Sequence, residues 1–565
     1  MQTAGLTNDY RSRSLPTEEA HEEQADQCSR FFKVLKVEYP KFFTMAFLYY
    51  SIVLAYSILR DTKDAVVMDR MLPASIQYLK SFIVIAATMS FAILFQFLLS
   101  RGVTLEKLMF VFNMSFGIFF LVYALILLPS VDYIEPYKFW IHDIFADKKM
   151  FINGLASLEG LFLTINFWTG TLLYISAELW GNVMTSVMFF AVANEICPLK
   201  QALRFYPLFI IGANLGLITS GGFMVSNYYL LKTFPQHKIK IISAFVTAVS
   251  GLCLINVFTY RHLVRNIIPY PIYIVSEARR STKSKEKVGI IDGFKIMFKT
   301  PIVLHLSITV LGYGLCTNLT EAAFKSAVRE SSKKSGEDVM TNFVLTQGLQ
   351  QLCIGLLVIA ILFSPVKSLI QKKGWLALGM FTPVLSLISA TSFLLFVWAN
   401  ASVTVTGKDA ENLLNRFGKR LFTLIGWTAM TNAEYYFGFL AVNTIKILKY
   451  AAFDIGKEAI GVKIPKQYKA RFKGVYDGVC GKLGKSLSSN VQIVILGLLN
   501  LSDIRTASLL LLITVVLVAT VWSMSTLYLG RRYDEAVRED RDLYIGETED
   551  AKTAAQLKKE SKLVQ

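Results

Sequence analysis

Apolar segments of about 20 residues recur along almost the whole length of this chain, and they restrict its fold more than any other feature. A helix of about that length spans the hydrocarbon core of a bilayer. Of the 565 residues, 53% are hydrophobic and only 18% are charged, whereas soluble domains have roughly 25% charged residues. The sequence therefore predicts an all-α, polytopic membrane protein.

The apolar segments predict about twelve transmembrane helices in two sets of six. A long polar stretch separates the sets, and its basic run at 279–287 places it on the cytoplasmic side by the positive-inside rule. Six plus six spans around a cytoplasmic connector is typical of major-facilitator transporters, which are built from parallel repeats. We predict a cytosolic tail (1–40), a six-helix half (41–260), a basic linker (261–300), a second six-helix half (301–530) and a cytosolic tail (531–565).

Four boundaries within this plan follow from particular segments. Span one covers about 42–59. The apolar region 151–193 is too long for one straight span, so we expect a lateral piece at 151–166 and span four at 167–193. Span ten covers 421–448 and is followed by an interior, lysine-rich loop at 449–473.

Short sequence similarities between corresponding spans of the two halves support the repeat. The end of span one carries Arg60 and Lys63, and the end of span seven carries Glu321 and Lys325. The motif AEL at 177–179 in span four is matched by AEY at 433–435 in span ten. A third similarity is the LG pair at 215–216 in span five and at 483–484 in span eleven, each followed by a serine one helical turn on. Three such similarities in corresponding spans favour a repeat, with Glu321 and Lys325 facing Lys63 across a pseudo-symmetric cavity.

The composition excludes several classes of function. The six cysteines are scattered without a CxxC motif, which predicts neither a disulfide framework nor a metal site. The sequence GKLGKS at 481–486 has Val479 where a P-loop requires glycine, and no catalytic constellation is present. We therefore expect no enzyme and no cofactor. The net charge of +18 indicates anionic lipid or an anionic solute in a membrane chain, and no nucleic-acid partner.

Span one ends in a charged cluster that contains Arg60, Asp61, Lys63 and Asp64. Charged residues commonly flank spans as snorkelling anchors, which is one interpretation. This cluster instead alternates base and acid and continues the helix without a turn residue. The hypothesis is that Arg60 and Lys63 point into a polar path and hold an anion.

Further charged residues lie within or beside spans, where each needs a partner or water. They could pair across the helices, but the bases outnumber the acids, and an unpaired surplus of buried cations requires an anion. A triphosphate fits, because each charge-assisted hydrogen bond contributes about 1.5–3 kcal/mol. The residues concerned are Glu178, Arg204, Glu434, Lys446, Lys449, Asp477, Lys482 and Lys485.

Several stretches together resemble the nucleotide transporters (ATP/ADP translocases) of plastids and of obligate intracellular bacteria and parasites. They span both halves of the chain. The matching segments are 58–64 (ILRDTKD), 177–183 (AELWGNV), 202–209 (ALRFYPLF), 212–214 (GAN), 449–458 (KYAAFDIGKE) and 483–486 (LGKS).

The resemblance implies an antiporter that imports ATP in return for ADP by alternating access, as in energy parasitism. It implies that Lys63, Glu178, Glu321 and Lys457 matter for transport. We expect Lys63 and four other bases to neutralise phosphates, and Glu178 and Glu321 to pair with bases in the empty state. The other four bases are Arg204, Lys446, Lys449 and Lys485. The remaining candidates for the substrate site are Arg60, Asn214, Lys325 and Asp477, with Tyr206, Trp180 and Asn214 considered for adenine.

Two alternatives remain open at this point. The first is proton-coupled or broader-specificity nucleotide import, with Glu178 or Asp477 titrating. The second is a membrane receptor or enzyme whose basic surface binds lipid or phosphoprotein. The polar N-terminus shows no plastid transit peptide, which favours the plasma membrane of an intracellular parasite or bacterium over an organelle membrane. We expect ATP, ADP and membrane lipid as partners, both termini in the cytoplasm, and a monomer.

Overall fold

The computed structural model describes most of the membrane region as helices. The described residues contain no strand. Most of each predicted terminal tail and most of the predicted linker at 261–300 lie outside the described residues. The described ranges are 34–135, 158–197, 199–269, 298–364, 374–404, 413–465, 468, 472–501, 503–539 and 542–543.

Twelve long helices, named α1 to α12, form most of the described part of the chain, and shorter helices lie between some of them. Ten are long and apolar enough to cross a membrane, and the other two, α10 and α11, are shorter helices of the second half that each contain charged residues. Their bounds are α1 Tyr39–Arg70, α2 Ser75–Leu98, α3 Leu105–Leu127, α4 Trp168–Ile196, α5 Leu199–Thr233, α6 Lys238–His262, α7 Pro301–Ser335, α8 Val339–Phe363, α9 Trp375–Thr404, α10 Thr431–Leu448, α11 Cys480–Leu499 and α12 Ser508–Arg538. The prediction of an all-α, polytopic membrane protein is confirmed.

The helix packing repeats from the first six helices to the second six. Helix α1 packs against α4, α5 and α6, and α3 packs against α6. In the second set, α7 packs against α10, α11 and α12, and α9 packs against α12. Adding six to each number in the first set gives the second, which is the six-plus-six repeat that the sequence predicts. The two sets meet in two places, where α5 contacts α8 and where α2 contacts α11. The repeat relates these two contacts to each other, because α5 corresponds to α11 and α2 corresponds to α8.

The first predicted boundary, the end of span one at Leu59, is wrong. Helix α1 continues for 11 more residues to Arg70, because the charged cluster contains no helix breaker. The side chains of Asp61, Lys63 and Asp64 are buried within it.

Span ten was also predicted wrongly at both ends. Gly426 adopts a left-handed φ of 73°, and this turn separates a short amphipathic helix, Leu413–Leu424, from α10, which begins at Thr431. Beyond Leu448 the helix passes through a π-helical turn and continues to Lys463, so most of the predicted interior loop is helical. Helix α12 likewise extends to Arg538, into the predicted C-terminal tail.

The predicted division of the long apolar region is confirmed at its boundary. A short helix covers Glu159–Asn166, and α4 begins at Trp168. The break lies at Phe167, whose backbone leaves the helical region with φ −95° and ψ 54°. The rest of the predicted lateral piece, 151–157, lies outside the described residues.

One end of the molecule is held closed by polar contacts between the two halves. Lys238 Nζ lies 2.5 Å from Asp69 Oδ1 and 2.8 Å from Asp338 Oδ1, and Lys232 Nζ lies 3.5 Å from Glu337 Oε1. We name Lys232, Lys238, Glu337 and Asp338 the latch. Partial burial alone would raise the pKa of Asp338, but its hydrogen bonds with Lys238 and Thr341 and the charge of Lys238 lower it. The latch carboxylate therefore stays charged at neutral pH.

Candidate functional site

Lys63 on α1 is the centre of a buried ion network. Its side chain is 1% exposed, and its Nζ lies 2.7 Å from Asp64 Oδ1 and 3.0 Å from Glu178 Oε1 on α4. The same Nζ lies 3.7 Å from the centre of the Tyr174 ring, a distance typical of a cation–π contact. The lysine is therefore paired with acids rather than anchored at the membrane surface.

The network continues into the second half of the molecule through Asp64. Asp64 Oδ2 accepts a hydrogen bond from Lys325 Nζ on α7 at 2.7 Å. Lys325 Nζ also lies 3.5 Å from Glu321 Oε1, and Glu321 Oε2 lies 3.4 Å from Lys446 Nζ on α10. Six side chains thus join α4, α1, α7 and α10 in one chain of charges. We name these six the central network: Glu178, Lys63, Asp64, Lys325, Glu321 and Lys446.

Arg60 and Asp61 form a second polar link between the halves. Arg60 Nε lies 3.0 Å from Asp61 Oδ1. Asp61 Oδ2 accepts a hydrogen bond from Gln351 on α8, which belongs to the second half. Arg60 and Lys63 both lie among polar side chains, and acids of the same helix pair with both; that the two bases hold an anion stays a prediction.

Two further lysines surround the central network. Lys80 on α2 and Lys485 on α11 lie within electrostatic range of Glu178. Among the described residues, neither has an acid within 4.0 Å, and the Lys485 side chain is exposed. Together with the central network and the Arg60–Asp61 pair, they give six bases against four acids. A surplus of cations in a region of low dielectric favours binding of an anion.

Lys457 and Asp477 pair with each other away from the central network. Lys457 Nζ lies 2.6 Å from Asp477 Oδ1 and 3.2 Å from Asp454 Oδ1. Lys457 follows Lys446 by 11 residues, which corresponds to about 16 Å along a helix. This pair ties the extension of α10 to the start of α11 within the second half.

Lys449 lies among aromatic rings rather than acids. Its Nζ is 4.9 Å from the centre of the Tyr450 ring and 5.9 Å from that of Tyr313 on α7. Within the described residues no carboxylate lies within 4.0 Å of it.

The structure does not bring Arg204 or Asn214 into the central network. Arg204 makes a two-pronged contact with Glu38, at 3.1 and 2.8 Å. Glu38 precedes Lys63 by 25 residues, or about 37 Å of helix. Asn214 Nδ2 donates to the carbonyl of Ile210 within α5. The geometry gives no support to a phosphate or base contact by either residue, and that role stays a prediction.

The aromatic candidates for adenine also lie elsewhere. Trp180 is 0% exposed in the core of the first half. The Tyr206 hydroxyl donates to Asn194 Oδ1 at 2.7 Å, and the Tyr206 ring packs edge-on against Phe190.

Glu434 is not at mid-span, because α10 begins only three residues before it. It is 0% exposed, and its two oxygens accept hydrogen bonds from Arg505 at 2.7 and 2.8 Å. Asn400 donates to the same carboxylate at 2.9 Å. The interpretation as an ion pair across helices is therefore correct for this residue.

Sequence reasoning missed four residues of the site: Asp64, Lys80, Tyr174 and Gln351. Asp64 lies in the charged cluster but was not assigned to the site, and Lys80 lies near the start of α2. Both carry a charge at a span boundary, which was the available signal. Nothing in the local sequence distinguishes Tyr174 or Gln351 from other polar residues in spans.

A membrane protein whose described residues form twelve long helices, with a buried, cation-rich network between two six-helix halves, belongs to the class of alternating-access transporters. The chain belongs to the TLC ATP/ADP transporter family, whose sequence model matches residues 17–533. This confirms the resemblance inferred from the motifs.

Individual relatives support the same membership. The chain is 33% identical to ADP,ATP carrier protein 1 of Paranosema grylli, over 94% of this chain and 95% of the relative. It is 32% identical to ADP,ATP carrier protein 1 of Encephalitozoon cuniculi, over 97% of each. Identity with ADP,ATP carrier protein 1 of Chlamydia pneumoniae is 28%, over 89% of this chain and 95% of the relative. Among solved structures, the nucleoside transporter NupG gives a TM-score of 0.49 at 12% identity, over 87% of this chain and 99% of that one.

Proposed function

We propose that this chain exchanges ATP for ADP across a membrane, importing ATP in return for ADP. The observation that carries the proposal is the surplus of bases where the two halves meet: the central network, the Arg60–Asp61 pair, Lys80 and Lys485 together place six bases and four acids there. The family and the names of its relatives, ADP,ATP carrier proteins, support a nucleotide as the anion. A nucleotide polyphosphate supplies the negative charge that the surplus cations lack.

Substrate binding would rearrange the ion pairs of the network. Phosphate oxygens would compete with Glu178, Asp64 and Glu321 for Lys63, Lys325 and Lys446. Each charge-assisted hydrogen bond is worth about 1.5–3 kcal/mol, so several to one phosphate chain can replace the internal pairs. Lys80 and Lys485 remain available for additional contacts.

The same network supports exchange rather than free passage. The Asp64–Lys325 pair holds α1 against α7 at 2.7 Å. Reorientation of the empty carrier would break this pair without replacement, whereas the loaded carrier has phosphates to take its place. A ligand shifts a conformational equilibrium only by its differential affinity for the two states.

Exchange in proteoliposomes tests this function. Uptake of labelled ATP should require ADP or ATP inside, and excess unlabelled ADP should compete with it more strongly than GTP or CTP. Preloaded labelled ADP should stay inside in nucleotide-free buffer. Equal efflux with and without external nucleotide would contradict exchange, and absence of nucleotide movement would contradict transport.

Replacement of Lys63 by alanine should abolish uptake while the protein still inserts into the membrane. The reason is that Lys63 connects Glu178 with Asp64, and its loss leaves both acids buried beside the phosphate path. Labelled-ATP uptake at equal membrane content measures the effect. Lys473→Ala is the control, because that lysine pairs with Glu458 at the surface with 46% of its side chain exposed. Normal uptake by Lys63→Ala would remove Lys63 from the site.

The proposal includes the setting of the protein. It places the chain as a monomer in the plasma membrane of an intracellular parasite or bacterium, with both termini in the cytoplasm. Basic segments between spans support that orientation. ATP and ADP are its substrates, and no cofactor is part of the proposal.

A further inference from the structure

Three tyrosines lie at one level of the molecule, next to the central network. Tyr56 precedes Lys63 by seven residues on α1, and Tyr313 precedes Glu321 by eight residues on α7, offsets of about 10 and 12 Å. Tyr450 follows Lys446 by four residues, just beyond α10, an offset of about 6 Å. Helix α10 runs antiparallel to α1 and α7. All three tyrosines therefore lie on the side of the central network that faces away from the latch.

These tyrosines are accessible and come from both halves. The Tyr450 ring is 38% exposed, and the side chains of Tyr56 and Tyr313 are partly exposed. Lys449 Nζ lies 4.9 Å from the Tyr450 ring and 5.9 Å from the Tyr313 ring, so one ammonium group holds two of the rings. Tyr313 also stacks on Phe453, with ring centres 5.3 Å apart, which fixes its plane.

The position of Tyr56 depends on a glycine of α4. A Cβ atom at Gly181 would lie 2.1 Å from a carbon of the Tyr56 ring. Only glycine therefore lets the ring lie against α4 at this point. This contact orients Tyr56 beside Glu178, which is on the same turn of α4 and belongs to the central network.

We propose that Tyr56, Tyr313 and Tyr450, arranged around Lys449, form the subsite for the nucleobase of the transported nucleotide. We name these four residues the collar. The inference rests on the proposed function, because it takes the central network as the phosphate site. The ribose separates the base from the phosphates by a distance comparable with the offset between network and collar. Aromatic rings bind bases of every kind through stacking, so the collar supplies affinity for the base, and selectivity between bases has to come from other groups.

Kinetics with a base-free competitor separate the two subsites. The variants are Tyr450→Ala and Tyr56→Ala, measured as the KM for ATP and as the inhibition constant of inorganic tripolyphosphate. Each should raise the KM for ATP by roughly 5- to 100-fold, the range that loss of base stacking gives. The inhibition constant of tripolyphosphate should not change, because it has no base. Tyr450→Phe should restore the KM, since the stacking ring remains.

Tyr436→Ala is the matched control. Tyr436 lies on α10 with 68% of its surface exposed, outside the collar, and its loss should leave both constants unchanged. Membrane content of every variant is measured alongside.

Three results would overturn the inference. They are an unchanged KM for ATP in both alanine variants, an equal rise in the tripolyphosphate constant, and failure of tripolyphosphate to compete with ATP in the unaltered protein. Failure of the proposed function looks different, because the unaltered protein would then exchange no nucleotide and Lys63→Ala would change nothing.

Discussion

Asp64 carries a role that its neighbours do not share, because it holds one lysine from each half. Its Oδ1 lies 2.7 Å from Lys63 and its Oδ2 lies 2.7 Å from Lys325. All three side chains are less than 10% exposed, so water screens these contacts little. This one carboxylate therefore connects the substrate site with the contact between the halves.

Replacement of Asp64 by asparagine should loosen the obligatory exchange. The neutral amide keeps the size of the side chain but removes the charge that holds Lys325. Loss of about 1.5–3 kcal/mol from the resting state would speed reorientation of the empty carrier by roughly 10- to 100-fold. Efflux of preloaded labelled ADP into nucleotide-free buffer measures this rate.

Glu458→Gln provides the control for that measurement. Its pair with Lys473 lies at the surface of the second half, with both side chains about half exposed, and such pairs contribute little. Efflux from vesicles with Glu458→Gln should remain as low as in the unaltered protein. If Asp64→Asn vesicles also retain their ADP, the cross-half pair does not enforce exchange.

At the scale of elements, the contact between α5 and α8 depends on two small residues. A Cβ at Gly221 would lie 2.8 Å from the carbonyl oxygen of Gly348 and 2.9 Å from the amide of Leu352. The reverse contact is equally close, because a Cβ at Gly348 would lie 3.0 Å from the amide of Val225. Backbone therefore meets backbone where the two halves join, and the glycines allow this close approach.

Gly221→Ala should slow exchange and lower thermal stability. The added methyl group meets backbone atoms that cannot rotate away, so the helices must separate, at a cost of about 1–3 kcal/mol. The measurements are the exchange rate in vesicles and the unfolding temperature in detergent.

The adjacent residue supplies the comparison. A Cβ at Gly222 would meet nothing within 4 Å, and alanine there should leave exchange unchanged. Equal behaviour of the two variants would show that helix propensity, and not the contact between halves, controls the result.

At the scale of the whole molecule, the structure is closed at one end by the latch. Lys238 bridges Asp69 in its own half and Asp338 in the other half, and Arg329 Nη1 donates to the carbonyl of Met71 across the same boundary at 3.1 Å. Alternating access requires this end to open during each cycle. The latch contacts are exposed or partly exposed and individually weak, which suits a contact that must break repeatedly.

A covalent link in place of the latch should stop exchange. With Lys232→Cys and Glu337→Cys combined, a bismaleimide reagent would join α5 to the turn before α8, whose native side chains lie 3.5 Å apart. Labelled-ATP exchange should fall to the background level of empty vesicles after treatment.

Each single cysteine variant treated with the same reagent is the control and should keep its exchange. The described native cysteines are buried or only partly exposed, so they react slowly. Full exchange by the cross-linked double variant would show that this end does not open during transport.

Much of the architecture follows from local sequence. The number of long helices, the division into six and six and the break at Phe167 were predicted correctly. Length and hydropathy decide whether a segment spans the membrane, and these are properties of consecutive residues. The end of α1 at Arg70 was missed, because charged residues that pair with distant partners do not end a helix. The start of α10 at Thr431 was missed, because the left-handed Gly426 interrupts the helix before it.

The chemistry of the charged residues was decided by tertiary structure. The sequence by itself determined that buried bases outnumber buried acids, since apolar runs and charges can be counted along the chain. It did not determine which base meets which acid. Lys325 and Asp64 lie 261 residues apart in the chain, and only the packing of α1 against α7 brings them together. Arg204 likewise pairs with Glu38 and not with an acid of the network. A buried charge requires a partner within a few ångströms, and the fold alone decides which partner is there.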